Sequence, residues 1–296
     1  MKDIDSYKVW TAVITPMNDD GSVDYESFEK ILRQQDEVQN AVAVLASTGE
    51  GLNLDDDEKK RMLEFAIGLN LSVPIMTAVG ANNLNTQLEW VRYLNTLDLD
   101  CYLVVVPVYA KPGVHGQYGW FKALLDAADK PCMLYNIPGR TAKKLEFQTV
   151  KMLKGHKNLW AMKEASGSEE EFAEYIKTVP DVLMLSGDDL MLPPFSRLGA
   201  KGVVSVAANV WPQATKLYAE QCASGSFKDD ELWESAIKAL FCASNPVPVK
   251  ALMHDKGMIK SGQVRLPLST DDMPDIDIVR QADKLIKEWF IKQTAN

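Results

Sequence analysis

CYLVVVP, residues 101–107, is apolar at nearly every position. A strand with one solvated face alternates apolar and polar side chains. An unbroken apolar run therefore implies cover on both faces, as in a parallel sheet wrapped by helices. Seven further runs share this character: VWTAVITP (9–16), AVAVLAST (41–48), PIMTAVG (74–80), PCMLYNIP (131–138), LWAMKEAS (159–166), VLMLSGD (182–188) and GVVSVAAN (202–209). They recur at intervals of roughly 20 to 35 residues, the size of a βα unit.

Helical patterns fill the gaps. In DDDEKKRMLEFAIGL (55–69), Met62, Leu63, Phe65, Ala66 and Leu69 make one apolar stripe behind an acidic first turn. SVDYESFEKILRQQ (22–35) opens on capping residues and carries Phe28, Ile31 and Leu32 on one face. Eight such units in series predict an α/β chain folded as a (β/α)8 TIM barrel. An open doubly wound sheet has the same local pattern. The count of eight favours the barrel, as does the lack of G-x-G-x-x-G after the first run.

The pattern changes after Ala223. ASGSFKDDELWESAIKALF (223–241) reads as a turn and a helix. NPVPVKALMHDKGM (245–258) reads as a helix opened by prolines and stopped at Gly257, and DIVRQADKLIKEWFIKQ (277–293) as a third. The expected division is a catalytic barrel over residues 1–224 and a C-terminal helical domain over 225–296.

Composition narrows the function. The 296 residues are 46% hydrophobic and 25% charged, ordinary for a soluble globular protein, with a net charge of 32 − 41 = −9. That balance repels phosphate backbones and anionic lipid, so neither nucleic acid nor a membrane is an expected partner. MKDIDSYKVW has no apolar core of a secretory signal, and no run reaches the roughly 20 residues of a membrane span. Cys101, Cys132, Cys222 and Cys242 lie far apart, which suits free thiols in a reducing cytoplasm. His115, His156 and His254 have no metal-ligand spacing.

One charge interrupts the apolar runs. In LWAMKEASG (159–167), Ala161, Lys163 and Ala165 share a strand face, with Met162 and Glu164 on the other. An inward Lys163 would stand among small neighbours near the C-terminal end of the sixth strand, where barrels of this type carry their active sites. Burial disfavours its charged form, and a free amine attacks ketones and aldehydes to form a Schiff base. The competing assignment is an ammonium paired with a carboxylate or reaching the barrel rim. Tyr135, in LYNIPGRT, belongs to the adjacent fifth strand and could relay protons, or could simply be a core tyrosine. Ser47, Thr48 and Gly49 follow the second strand in ASTGEG. Their hydroxyls and N–H groups could hold a carboxylate or merely cap a βα turn.

STGE, PVYAKP, YNIPGRT, MKEASG, LSGDD and NPVPVK occur in the order and near the spacing found in the dihydrodipicolinate synthases. The chain resembles that family over nearly its whole length. The family belongs to the pyruvate-dependent class I aldolases, and N-acetylneuraminate lyase is a relative. The resemblance implies a barrel with a C-terminal helical domain, assembled as a homotetramer, a dimer of tight dimers. It implies that Lys163 forms an imine with pyruvate and that Tyr135, Ser47 and Tyr109 form a hydroxyl relay, the second tyrosine coming from the partner subunit. Thr48 then matches the pyruvate carboxylate site and Arg140 the residue that receives the carboxylate of aspartate 4-semialdehyde. Gly187 and Val204 match backbone positions lining the site. No cofactor is implied, because the iminium is the electron sink.

Two departures stand out. Ser47 occupies a position where the synthases usually carry threonine and the lyases serine, while Arg140 and SGDD point back to the synthases. The positions matching the family's lysine-effector site are Gly51, Leu52, Asp56, Lys59, Asn82, Thr86 and Val108, and of these Asn82 alone keeps the expected type. Free lysine is therefore not expected to inhibit. Two other functions fit some of the residues: an aldolase acting on N-acetylneuraminate or a 2-keto-3-deoxy sugar acid, and a barrel that binds a keto acid without turnover. A pure binder would not need the hydroxyl relay.

Overall fold

The computed structural model describes residues 2–295. The outer ends of the two expected domains, Met1 and Asn296, lie outside the described residues. Eight parallel strands close on themselves in sequence order. They are β1 (Val9–Ala12), β2 (Ala41–Val44), β3 (Ile75–Val79), β4 (Cys101–Val105), β5 (Cys132–Asn136), β6 (Leu159–Glu164), β7 (Leu183–Ser186) and β8 (Val203–Ser205). The barrel closes where Val9, Trp10 and Thr11 of β1 pair with Val203, Val204 and Ser205 of β8.

The doubly apolar runs separate into two cores, as alternation across a pleated strand requires. Trp10, Ala43, Met76, Leu103, Ala161 and Val204 fill the barrel interior. Val42, Val44, Ile75, Val104, Leu134 and Met162 face outward against the helices. A buried side chain of this kind contributes about 1.5–3 kcal/mol, so a one-residue slip of any strand would forfeit several such terms at once.

The surrounding helices are α1 (Tyr25–Val38), α2 (Asp56–Gly68), α3 (Leu84–Leu94), α4 (Val114–Ala127), α5 (Pro138–Thr141), α6 (Phe147–Leu153), α7 (Glu169–Thr178), α8 (Leu192–Leu198) and α9 (Pro212–Ser224). Asp24 caps α1 by accepting the Glu26 and Ser27 N–H groups, and Asp55 forms a capping box with Glu58 on α2. Gly225, left-handed at φ 71°, ends α9.

Three helices follow: α10 (Asp230–Leu240), α11 (Val247–Asp255) and α12 (Ile276–Thr294). Pro248 sits in the first turn of α11, and Gly257 lies just beyond it at φ 68°. Trp233 of α10 stacks on Tyr218 of α9 with ring centroids 4.0 Å apart, so the outer core runs on into these helices. Cys101, Cys132 and Cys222 are buried free thiols, and Cys242 is half-buried.

Candidate active site

The register of β5 and β6 pairs Tyr135 with Lys163 and Asn136 with Glu164. Tyr135 and Lys163 point into the barrel, and the amine nitrogen lies 4.1 Å from the centre of the phenol ring. Asn136 and Glu164 point the other way and lock the strand ends. Glu164 Oε2 accepts from Asn136 Nδ2 at 2.7 Å, and Oε1 accepts from the Ser166 N–H at 2.6 Å. Asn136 Oδ1 also accepts the Leu145 N–H at 2.8 Å. Both outward residues are fully buried, so neither strand can slide without stranding a carboxylate.

Lys163 is 3% exposed. Burial lowers its pKa from 10.5 to about 7, with Asp189 opposing the fall, Arg140 adding to it and Asp188 opposing. The fall corresponds to about 5 kcal/mol against the ammonium. At a pKa of about 7, roughly half of the amine is free at neutral pH. Burial also pushes Tyr135 up to about 12, against the Arg140 charge and the Ser47 hydroxyl. The phenol keeps its proton and can donate it.

Glycine at 187 gives the lysine its space. A Cβ there would stand 2.9 Å from both Cγ and Cε of Lys163 and 2.7 Å from Cβ of Ala165. The turn after β2 is similarly tight. Leu45 and Glu50 adopt left-handed φ values of 61° and 52°. A Cβ on Gly49 would lie 2.8 Å from the Val13 carbonyl oxygen, and one on Gly51 would lie 2.0 Å from that of Leu45. This geometry presents Ser47 and Thr48 at the mouth of the barrel, and Thr48 Oγ1 accepts from Asn245 Nδ2 at 3.0 Å.

A cavity of about 300 Å³ brings Lys163, Tyr135, Ser47, Thr48, Arg140 and Gly187 together. Leu190, Val206, Ile237 and Phe241 add apolar lining, and Asp188, Lys238 and Asn245 add polar groups. Arg140, on α5, is exposed, and its Nη2 donates to the Asn245 carbonyl oxygen at 3.1 Å. A larger hollow of about 680 Å³ shares Ser47, Tyr135, Ile137 and Arg140 with it. Lys163 lines only the smaller cavity, so that is where imine chemistry can occur.

Two expected residues stand apart. Tyr109, at φ 64° on the loop after β4, is 90% exposed and lines neither cavity. Val204 is buried in the barrel interior, while Val206, just beyond the end of β8, lines the cavity. Asp188 and Asp189 entered the sequence reading only as the two acids of SGDD, and Asn245 only within NPVPVK. Asp189 is nonetheless fully enclosed, with Ser205 Oγ donating to its Oδ1 at 2.5 Å and the Val206 N–H to its Oδ2 at 2.8 Å. Their sites had a signal, since LSGDD and NPVPVK were both conspicuous. Among the described residues, no three His, Cys, Asp or Glu side chains gather as metal ligands, and no helix is long and apolar enough to cross a membrane.

Residues 5–282 match the model of the dihydrodipicolinate synthetase family. The chain belongs to that family. A curated relative, the 4-hydroxy-tetrahydrodipicolinate synthase of Francisella tularensis subsp. novicida, is 45% identical over 285 residues, covering 96% of this chain and 97% of the relative. Among solved structures, the chloride-inhibited dihydrodipicolinate synthase of Acinetobacter baumannii, complexed with pyruvate, superposes with a TM-score of 0.87 at 30% identity, covering 96% of this chain and 98% of that one. The synthase of Cyanidioschyzon merolae, crystallised with lysine bound, superposes with a TM-score of 0.90 at 31% identity, covering 96% and 99%. The family is one of class I aldolase-type lyases.

Proposed function

We propose that this chain condenses pyruvate with L-aspartate 4-semialdehyde through an imine on Lys163, giving 4-hydroxy-tetrahydrodipicolinate on the route to diaminopimelate and lysine. The observation that carries the reading is a buried amine 4.1 Å from the centre of a phenol ring, in a cavity that also holds Thr48 and Arg140, where burial lowers the pKa of the amine and raises that of the phenol.

The neutral Lys163 nitrogen adds to C2 of pyruvate, and the carbinolamine loses water to leave an iminium. The iminium withdraws electrons, a methyl proton departs, and an enamine forms. Tyr135, with Ser47 beside it, passes protons to and from these species. Thr48 and the N–H groups of its turn hold the pyruvate carboxylate. The enamine carbon attacks the aldehyde, whose own carboxylate rests on the Arg140 fork. The amine of the second substrate then attacks C2, closing the ring and releasing Lys163. One water is lost overall.

Tyr109 completes the relay from a second copy in this reading, and its 90% exposure supports an outward role. The working form is then a homotetramer of tight dimers, and the buried free thiols suit the cytoplasm. We retain a boundary at Gly225 between catalytic barrel and helical domain. Borohydride added with pyruvate should leave a stable adduct on Lys163. A panel of pyruvate with aspartate semialdehyde or with a sugar aldehyde then tests the second substrate. Turnover with the sugar alone would overturn the proposal.

A further inference from the structure

The sequence motifs STGEG and NPVPVK each contain a residue that the chemistry above leaves unused: Glu50 and Lys250. The fold brings them together across 200 positions of chain. Lys250 Nζ donates to Glu50 Oε1 at 2.8 Å, and both side chains are completely enclosed. Glu50 Oε2 accepts the Arg265 N–H at 2.9 Å. The turn after β2 therefore hangs by both carboxylate oxygens from the C-terminal segment. Asn245, at the start of that segment, donates to the Thr48 hydroxyl, and Arg140 donates to the Asn245 carbonyl oxygen.

A buried ion pair is weakly stabilising compared with apolar side chains of the same volume. Its distinctive property is that it tolerates one alignment and penalises others. The turn has need of such a constraint. Glu50 is held in the left-handed region, a conformation that persists only where its surroundings over-determine it. Two residues before it, Thr48 presents the hydroxyl assigned to the keto-acid carboxylate.

We infer that Glu50 and Lys250 are positioning residues: α11 holds the 47–50 turn at the height where Thr48 meets the substrate carboxylate. The inference rests on the assignment of the pyruvate site above. The C-terminal helices are thus part of the binding apparatus of the barrel. Neither residue touches substrate, and their effect passes through the turn.

The test measures borohydride trapping and steady-state turnover in the wild-type chain, in the neutral double variant E50Q/K250M and in E50Q. In the double variant the pyruvate half-saturation concentration should rise about tenfold, the worth of one charge-assisted hydrogen bond. The rate at saturating pyruvate should stay within about twofold, and the semialdehyde half-saturation should not move. A purely structural role would lower the melting temperature and the active fraction while leaving pyruvate half-saturation unchanged, and that result overturns the inference. Should the double variant not fold, E50Q keeps the shape and the Arg265 contact; the enclosed Lys250, whose pKa burial already lowers, sheds its proton rather than stay charged and unpaired, and a rise of about threefold is expected from trading an ionic bond for a neutral one. No rise in E50Q equally overturns it. If the wild-type chain forms no adduct, the assignment of the site fails and the inference falls with it; a wild-type adduct with unchanged variants refutes the positioning role alone.

Discussion

Replacing Lys163 by methionine should abolish imine trapping and make the folded chain more stable at neutral pH. The reason is the displaced titration of the amine. In the unfolded chain it titrates near 10.5, and in the barrel near 7. For a base whose folded pKa is depressed, the unfolded state binds more protons throughout that interval, so folding must expel one. The penalty is fully developed below pH 7 and fades as pH rises through 10.5. From these values it costs about 4 kcal/mol at pH 7.5 and about 1 kcal/mol at pH 10. Methionine has a similar length, no charge and tolerance for irregular space, so it should fill the same volume.

Urea unfolding of both chains at the two pH values measures the difference. The variant should lead by several kcal/mol at pH 7.5, and the lead should shrink by about 3 kcal/mol at pH 10. Packing differences between the side chains add a constant, so the pH-dependent part is diagnostic. A gap independent of pH would mean that Lys163 is a charged and satisfied ammonium. The nucleophile would then have been misassigned.

The rate of borohydride-trapped imine formation should climb between pH 6 and 8 with a midpoint near 7, following deprotonation of Lys163; a pH-independent rate would contradict a free-amine nucleophile. Arg140→Ala should raise the semialdehyde half-saturation about a hundredfold, the scale of a bidentate charge-assisted contact, while pyruvate trapping continues; steady-state kinetics with each substrate varied in turn read both. Gly187→Ala puts a methyl group 2.9 Å from two carbons of Lys163 and should slow trapping about a hundredfold by displacing the nucleophile. Free lysine at millimolar concentration should leave the rate unchanged. Leu52, Val108 and Thr86 line the larger hollow, Lys59 there pairs with Asp56 at 2.5 Å, and Lys59, Lys60 and Arg140 outnumber the carboxylates Asp56 and Glu89 on its wall, so a further cation is repelled.

The barrel was legible because its signal is local and repeated. Each strand is apolar on both faces, and α1 and α2 announce themselves by their apolar stripes and their capped starts at Asp24 and Asp55. Lys163 was legible for the same reason, as one charge inside a strand otherwise buried on both sides. Parity placed Tyr135 beside it, because alternation on β5 and β6 leaves only two choices of face. Val204, expected from the family resemblance and not from alternation, is buried in the barrel interior, and the cavity is met at Val206, beyond the end of β8.

The partners of the binding turn were not legible, and the cause is distance along the chain. Thr48 and Asn245 are separated by 197 positions, and no periodicity links them. Arg140 and Asn245 are separated by 105. What the sequence could show was a mismatch with local rules. Glu50 is a bulky, charged residue between two glycines, in a turn where a polar side chain would ordinarily reach water. Lys250 lies on the apolar run of a short helix. Each is anomalous alone, and each anomaly is resolved by the other, because a buried charge is tolerable only when an opposite one is fixed against it. Paired violations of this kind, one in a binding loop and one far along the chain, mark where a fold spends its long-range contacts on holding a site still.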